Sequence, residues 1–359
     1  MRPGDRRPGD EHAAELLAET LTARLDGADG LLAATGTPGV AVVVVDGGET
    51  VVARGWGRAP DGPAVDVDTV FQVGSVSKPV AAMTTILAAD AGLVDLDRPI
   101  EAILRPVVSI EPGVGPVSLR DLVTHTAGAS VHGFLGYGAD EPVPDLLGVL
   151  GGDGNSEPVV LDADRSFRYS GGGYTAMEYV LVESTGESLA DLAARLLLRP
   201  LGLDRTGFSI ERPAWPAGPT ISPGSVDGEP LDGGWRRHPE AAAAGLWSTA
   251  GDLARLIGEL TSGRLTSLLA SMLRHSPSAA TDDGSDRHVG TGWFLDRPDD
   301  PRWFWHNGRN LGFSAEVVAS VDGERVAVVC TNALEGPEVI ASIVGTVADD
   351  LDWGDGHRW

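Results

Sequence analysis

"DTVFQVGSVSKPVAA", residues 68–82, is the stretch on which the reading of the chain turns. It contains Lys78, the sole lysine: of the 27 Lys and Arg residues, the other 26 (27 − 1) are arginine. The run "SVSKPVAAMTTILAADAGLVDLD" is built of small apolar residues and predicts a buried helix. Pro79 falls near its start, where a missing N–H is tolerated. Ser75 and Lys78 are then i and i+3, which puts both side chains on one helix face. A serine hydroxyl is a weak nucleophile until a neighbouring base takes its proton. An amine can be that base only where burial or nearby positive charge lowers its pKa. Arginine cannot, because it stays protonated in proteins. A chain that writes every other strong base as arginine keeps one lysine where a neutral amine is useful. Ser-x-x-Lys alone is a short pattern that many chains meet by chance, so its meaning rests on the surrounding sequence.

Outward from that helix, "GVAVVVVDGGETVVARGWG" on the N-terminal side reads as two strands joined at Asp46–Gly47–Gly48. Before it, leucines recur at helical spacing from Glu11 to about Ala34. Residues 129–168 are irregular and rich in Gly, Asp and Pro. "GYTAMEYVLVESTGESLADLAARLLLRPLGL" predicts two helices, and "STAGDLARLIGELTSG" a further one with Ser248 or Thr249 as its cap. The C-terminal part gives strands, "VGTGWFL", "RWFWHNG", "GFSAEVVASVD" and "RVAVVCTN", and a last helix from about Pro337 to Leu351. Strands at both ends with helices between them predict an α+β fold. Both chain ends build one antiparallel sheet, and the middle forms a mainly helical lobe. We expect a disordered start over residues 1–10 and a single domain over 11–359. Its α/β lobe comprises about 11–75 and 285–359, and its helical lobe about 76–284.

Composition excludes several function classes. The formal net charge is −25, which argues against electrostatic binding of nucleic acid or of anionic membranes. Cys330 is the only cysteine, so no disulfide forms within the chain; its apolar surroundings predict a small hydrophobe in a core strand. No window is apolar enough to span a membrane, and "MRPGDRRPGDEHAAELL" lacks the apolar stretch of a signal peptide, so the expected location is the cytoplasm. No His, Cys, Asp or Glu cluster has metal-ligand spacing, and no glycine-rich segment suits a phosphate loop. Neither a metal nor another cofactor is expected.

The motifs taken together resemble the class C β-lactamase-like serine hydrolases, the penicillin-recognising fold. The resemblance runs from about Thr37 to Asn332. "DTVFQVGSVSKPVAA" is similar to that family's nucleophile helix, and "VSLRDLVTHTAG" to its "LLTHTSG" segment. "FRYSGGGYTAMEYVLVESTG" resembles its second motif, usually Tyr-x-Asn. "LLLRPLGLDRTGF" and "AAAAGLWSTAGDLARL" match two further segments. "WHNGRNLGFSAEV" resembles the third motif, Lys-Thr-Gly or His-x-Gly. The order of six matches carries the resemblance. It implies Ser75 as nucleophile, Lys78 as its base, and Tyr169 as the proton relay to the leaving group. It implies His306 on a strand beside the site, and an oxyanion hole from the N–H groups of Ser75 and Arg309. Gly171, Asn307 and Gly308 are the implied substrate-binding positions. Phe134 and Tyr137, with His132, stand in the irregular stretch that in this fold often rims the cleft. His125 is expected to be a structural loop histidine. Trp303 and Trp305 alternate with Phe304 and His306 and are expected to pack on the opposite face.

Two positions depart from the family pattern. Gly171 replaces the usual Asn, and His306 the usual Lys of β-lactamases. A site without that amide loses a contact to an acyl-amide carbonyl. A histidine grips a carboxylate less well than lysine at neutral pH. The resemblance therefore implies an esterase or transacylase acting on a small-molecule acyl substrate. The acceptor would be water, an amine or an alcohol, in small-molecule or natural-product metabolism. The alternatives are a D-amino-acid amidase or peptidase, a weak β-lactamase, and an idle homologue that only binds a ligand.

Overall fold

The computed structural model describes residues 8–26, 30–60, 62–215, 220–262, 264–274 and 288–354. Helix α1 (Pro8–Asp26) begins within the ten residues expected to be disordered; residues 1–7 lie outside the described ones. Strands β1 (Gly39–Asp46) and β2 (Glu49–Gly57) form the hairpin expected around Gly47 and Gly48, both of which have positive φ. From the other end come β3 (His288–Val289), β4 (Phe294–Leu295), β5 (Trp303–Asn310), β6 (Phe313–Ser320) and β7 (Arg325–Thr331). Among the described residues these make a seven-stranded sheet in the order β3-β4-β5-β6-β7-β1-β2. Each pairing is antiparallel, and Ala41 faces Cys330 where the two chain ends meet. The fold is α+β, as the strand–helix–strand order predicted.

The sheet is covered on both faces, and this explains the unbroken apolar run of β1. Val40, Val42 and Val44 turn to one face with Val318, Val329, Trp303 and Trp305, packing against α1 and helix α6 (Gly336–Asp350). Ala41, Val43, Val317, Val328, Cys330 and Phe304 turn to the other, towards the helical part. Each such valine contributes about 1.5–3 kcal/mol by leaving water. Burial pushes the Cys330 thiol up to about 12, so it serves as the small core hydrophobe its context predicts. Trp303 and Trp305 pack as expected, opposite Phe304 and His306.

On the helical side, α2 (Ser77–Asp90) is buried almost all round, as its small apolar residues predict. Helix α3 (Gly171–Thr185) and the short α4 (Ala241–Ala244) pack against it and against each other. Helix α5 (Ala250–Ser262) lies across the sheet. The start of α2 is thereby wedged between the C-terminal part of β5, beyond the reach of β4, and the N-terminal ends of α3 and α4. No helix among the described residues is long and apolar enough to cross a membrane.

Candidate active site

A 3-10 turn, Gly74–Val76, delivers the chain into α2. Two glycines let this turn touch β5. Gly74 has φ 51°, and a Cβ there would lie 2.4 Å from Arg309 N; a Cβ on Gly308 would lie 1.9 Å from Val73 O and 2.8 Å from Ser75 N. Only glycine fits at either place. The contact gathers the backbone amides of Ser75 and Arg309 into one small region. Ser77 locks the turn: its Oγ donates to Gly74 O (2.6 Å) and accepts from Leu246 N–H (2.9 Å).

Lys78 Nζ lies 2.9 Å from Ser75 Oγ and donates to Ala243 O, also at 2.9 Å. The side chain is 2 % exposed. Burial pulls its pKa from 10.5 down to about 7, against the opposing pull of the nearby Glu240 carboxylate. Near neutral pH a large share of these amines is unprotonated, with a lone pair at hydrogen-bond distance from the serine. Tyr169 closes the other side, its ring centroid 4.9 Å from Lys78 Nζ. Burial drives the phenol pKa well above its usual value, although Ser75 beside the hydroxyl draws it partly back. The phenol therefore keeps its proton at neutral pH and can donate it.

Three histidines surround the Tyr169 ring, with centroid separations of 4.6 Å (His125), 5.0 Å (His132) and 6.1 Å (His306). His125 is buried, and its Nδ1 accepts from Ser170 N–H at 3.0 Å. It holds Tyr169 by stacking and by this bond, the structural role expected of it. His306 Nδ1 donates to Asn307 O at 2.6 Å, which leaves the lone pair on Nε2. That Nε2 is buried without a partner among the described residues. Burial first, and then Lys78, push the His306 pKa down to about 3. His306 is thus neutral at physiological pH and is no substitute for a lysine cation.

The sequence reading missed a buried acidic layer behind Lys78. Glu178 Oε2 accepts from Ala242 N–H at 2.7 Å, and burial raises its pKa to about 8. Glu240 is fully buried and 2.7 Å from His238 Nδ1. The signal for Glu178 was a single acid inside the apolar run "YTAMEYVLV". The Ala243 carbonyl had no signal, since a backbone acceptor leaves no mark in side-chain chemistry.

A cleft of about 1360 Å³ runs from Ser75 past β5 to α6; Lys78, Tyr169, Phe134, Asn307, Gly308 and Arg309 line its Ser75 end. His132, Phe167, Phe294 and Asn310 are further lining residues, of which the last three carried no expectation. Two expected substrate contacts are displaced. Tyr137 is 3 % exposed, its hydroxyl donating to Asp153 O at 3.2 Å; it anchors a loop instead of rimming the cleft. Gly171 is covered: a Cβ there would meet His132 O and Phe134 Cε2, both at 3.1 Å. No three His, Cys, Asp or Glu among the described residues are grouped to hold a metal ion.

Residues 18–343 match the family model described as Beta-lactamase. The chain is 28 % identical over 233 residues to the unguisins hydrolase ungD' of Aspergillus campestris (58 % of this chain, 41 % of that one). It is 30 % identical over 224 residues to the esterase EstB of Burkholderia gladioli (57 % and 56 %). It is 27 % identical over 225 residues to a D-aminopeptidase of Gluconobacter oxydans (59 % and 40 %). The chain therefore spans about half the length of these curated relatives. In three dimensions it is similar to EstCE1, a hydrolase with promiscuous acyltransferase activity, with a TM-score of 0.71 at 19 % identity over 95 % of this chain and 99 % of that one. The match over most of its length, on a fold that sets a serine against a buried lysine, makes this chain a member of the Beta-lactamase family of serine hydrolases.

Proposed function

We propose that the chain is a serine hydrolase or acyltransferase that works through an acyl-enzyme on Ser75, with an ester as its preferred acyl donor. The observation that carries this reading is the Lys78 amine, 2.9 Å from Ser75 Oγ and brought by burial to a pKa of about 7. Neutral Lys78 takes the Oγ proton as Oγ bonds to the carbonyl carbon, and the carbonyl π electrons move to oxygen. The N–H groups of Ser75 and Arg309 receive that oxyanion; such a donor is typically worth about 3–4 kcal/mol in the transition state. On collapse the C–O bond to the leaving alcohol breaks. Tyr169 gives the departing oxygen its proton and regains one from the Lys78 ammonium. Water, an alcohol or an amine then enters by the reverse sequence.

Two features favour esters over β-lactams. His306 is neutral, so it does not present the cation that would hold a β-lactam carboxylate. Gly171 offers no side-chain amide, and the 132–134 loop occupies its place. The EstB and EstCE1 likenesses point the same way. The D-aminopeptidase relative favours a second reading, a D-amino-acid amidase. The test is turnover of p-nitrophenyl butyrate beside a panel of D-amino-acid amides. A fluorophosphonate should add once to the wild-type mass and not to Ser75→Ala, which should retain its fold and lose turnover. Ser75→Ala activity within tenfold of wild type would end the assignment. Faster turnover of the amides than of the ester would transfer it to the second reading.

A further inference from the structure

The segment 130–138 crosses the mouth of the cleft and is fastened at both ends. At one end Gly172 N–H donates to Val131 O (3.0 Å), Gly171 N–H donates to His132 O (3.0 Å), and Ser170 Oγ donates to Ser130 O (2.5 Å). At the other, Tyr137 and Arg237 exchange backbone hydrogen bonds of 2.9 Å, and Asn155 Nδ2 donates to Gly136 O (2.8 Å). Within the first anchor Val131 has φ 63°, a conformation that a β-branched residue rarely adopts. Such outliers persist only where the surroundings over-determine them, and they gather at functional sites. The strain here has a visible result. It sets His132 beside the ring of Tyr169, with centroids 5.0 Å apart, in the cleft that Ser75 and Lys78 also line. Neither ring nitrogen of His132 has a hydrogen-bond partner among the described residues, and the side chain is exposed.

The same loop closes the position from which an α3 side chain would otherwise enter. The Cβ direction of Gly171 is filled by His132 O and Phe134 Cε2. Gly172 is closed as well, its Cβ direction meeting Ser130 O at 2.7 Å. The polar group available on this wall of the cleft therefore comes from the loop and not from the helix.

We propose that His132 is a specificity-determining residue, which hydrogen-bonds an uncharged polar group, an amide or a hydroxyl, flanking the scissile ester bond. This deepens the acyl-transfer reading and rests on it. A neutral group is favoured over a carboxylate, because His132, though exposed on its outer side, is partly desolvated against the cleft wall and lies near Lys78, and both lower its basicity. His306 across the site is neutral too. An imidazole supplies one donor and one acceptor, which suits an amide or a hydroxyl of either polarity. A site built around such a contact discriminates against substrates that lack the partner group.

The polar group could belong to the acyl part or to the alcohol part, and two pairs of esters separate these sources. In the acyl arm, p-nitrophenyl N-acetylglycinate is compared with p-nitrophenyl butyrate. In the alcohol arm, 2-acetamidoethyl butyrate is compared with pentyl butyrate. Fluorophosphonate labelling of each variant first establishes a folded site with a reactive Ser75, and its absence in the wild type would sink the parent reading separately. The quantity read is the ratio of kcat/KM within each pair, polar over apolar. His132→Leu should lower that ratio about tenfold in one arm, the usual effect of losing one hydrogen bond to substrate. His132→Gln, which keeps a donor and an acceptor, should bring it back towards the wild-type value. Ratios within twofold of wild type in both arms for His132→Leu would overturn the proposal, whatever the absolute rates. So would a Gln variant as poor as the Leu variant, since the imidazole would then contribute bulk alone.

Discussion

Replacing Lys78 by Met should abolish turnover and at the same time make the protein more stable in mild acid. Folding carries Lys78 from a pKa of 10.5 to about 7 in a site that is 2 % exposed. A shift of that size corresponds to about 5 kcal/mol against the protonated form in the native state. The sign follows from proton counting. At pH 6 both folded and unfolded chains hold the proton, so the full penalty is present. Between pH 7 and 10.5 the unfolded chain holds a proton that the folded chain has released, so stability rises with pH and the penalty fades. Met is close in length and has no charge to desolvate. It forfeits the contacts to Ser75 Oγ and Ala243 O, at about 1–1.5 kcal/mol each. The balance favours Met by about 2–3 kcal/mol at pH 6, and changes sign at about pH 8.5–9, where the remaining penalty equals the two lost bonds. Urea unfolding of both proteins at pH 6, 7.5 and 9.5, with equal m-values, measures this difference directly. A Met variant less stable than wild type at pH 6, or a difference that does not change with pH, would refute the claim that Lys78 is buried at a lowered pKa.

Other consequences concern activity. Lys78→Arg should be nearly as damaging as Lys78→Ala, each losing at least about a hundredfold in kcat/KM, because guanidinium keeps the charge but cannot accept a proton; an Arg variant within tenfold of wild type would leave Lys78 a mere counter-charge. In the wild type, kcat/KM for an ester should rise with pH through about 7 as Lys78 loses its proton, and His306, titrating near 3, should add no inflection between pH 5 and 8; a pH-independent profile over that range would count against the amine as base. Gly171→Asn should lower the melting temperature and fail to create penicillin hydrolysis, since its Cβ meets His132 O and Phe134 Cε2 at 3.1 Å. A stable Asn variant that turns over benzylpenicillin as fast as an ester would show that the loop yields and that the amide alone was missing.

Much of the site was legible because its chemistry constrains residue type locally. Ser75 and Lys78 sit three apart on one helical start, and their side chains meet at 2.9 Å as that spacing requires. The joining of both chain ends in one antiparallel sheet was legible too: β1 reads as an unbroken apolar run because helices cover both faces of its sheet, and the Asp46–Gly48 turn fixes its hairpin. The lone lysine and the six ordered motifs were enough to identify the family.

What the tertiary structure decided is everything set by distance between segments remote in sequence. The pKa of Lys78 depends on burial by α3, α4 and β5, and no local pattern encodes desolvation. Glu178 and Glu240 reach the back of the site from positions 62 residues apart, and His306 stays neutral even in mild acid because its ring is sealed in beside Lys78. Tyr137 and His132 are five residues apart in the same irregular stretch, yet one anchors the loop and the other faces the cleft. Hydrophobic periodicity could not separate them, because a loop has no period. Their directions follow from the strained φ of Val131 and from hydrogen bonds to α3 and Arg237, which exist only once those elements have packed.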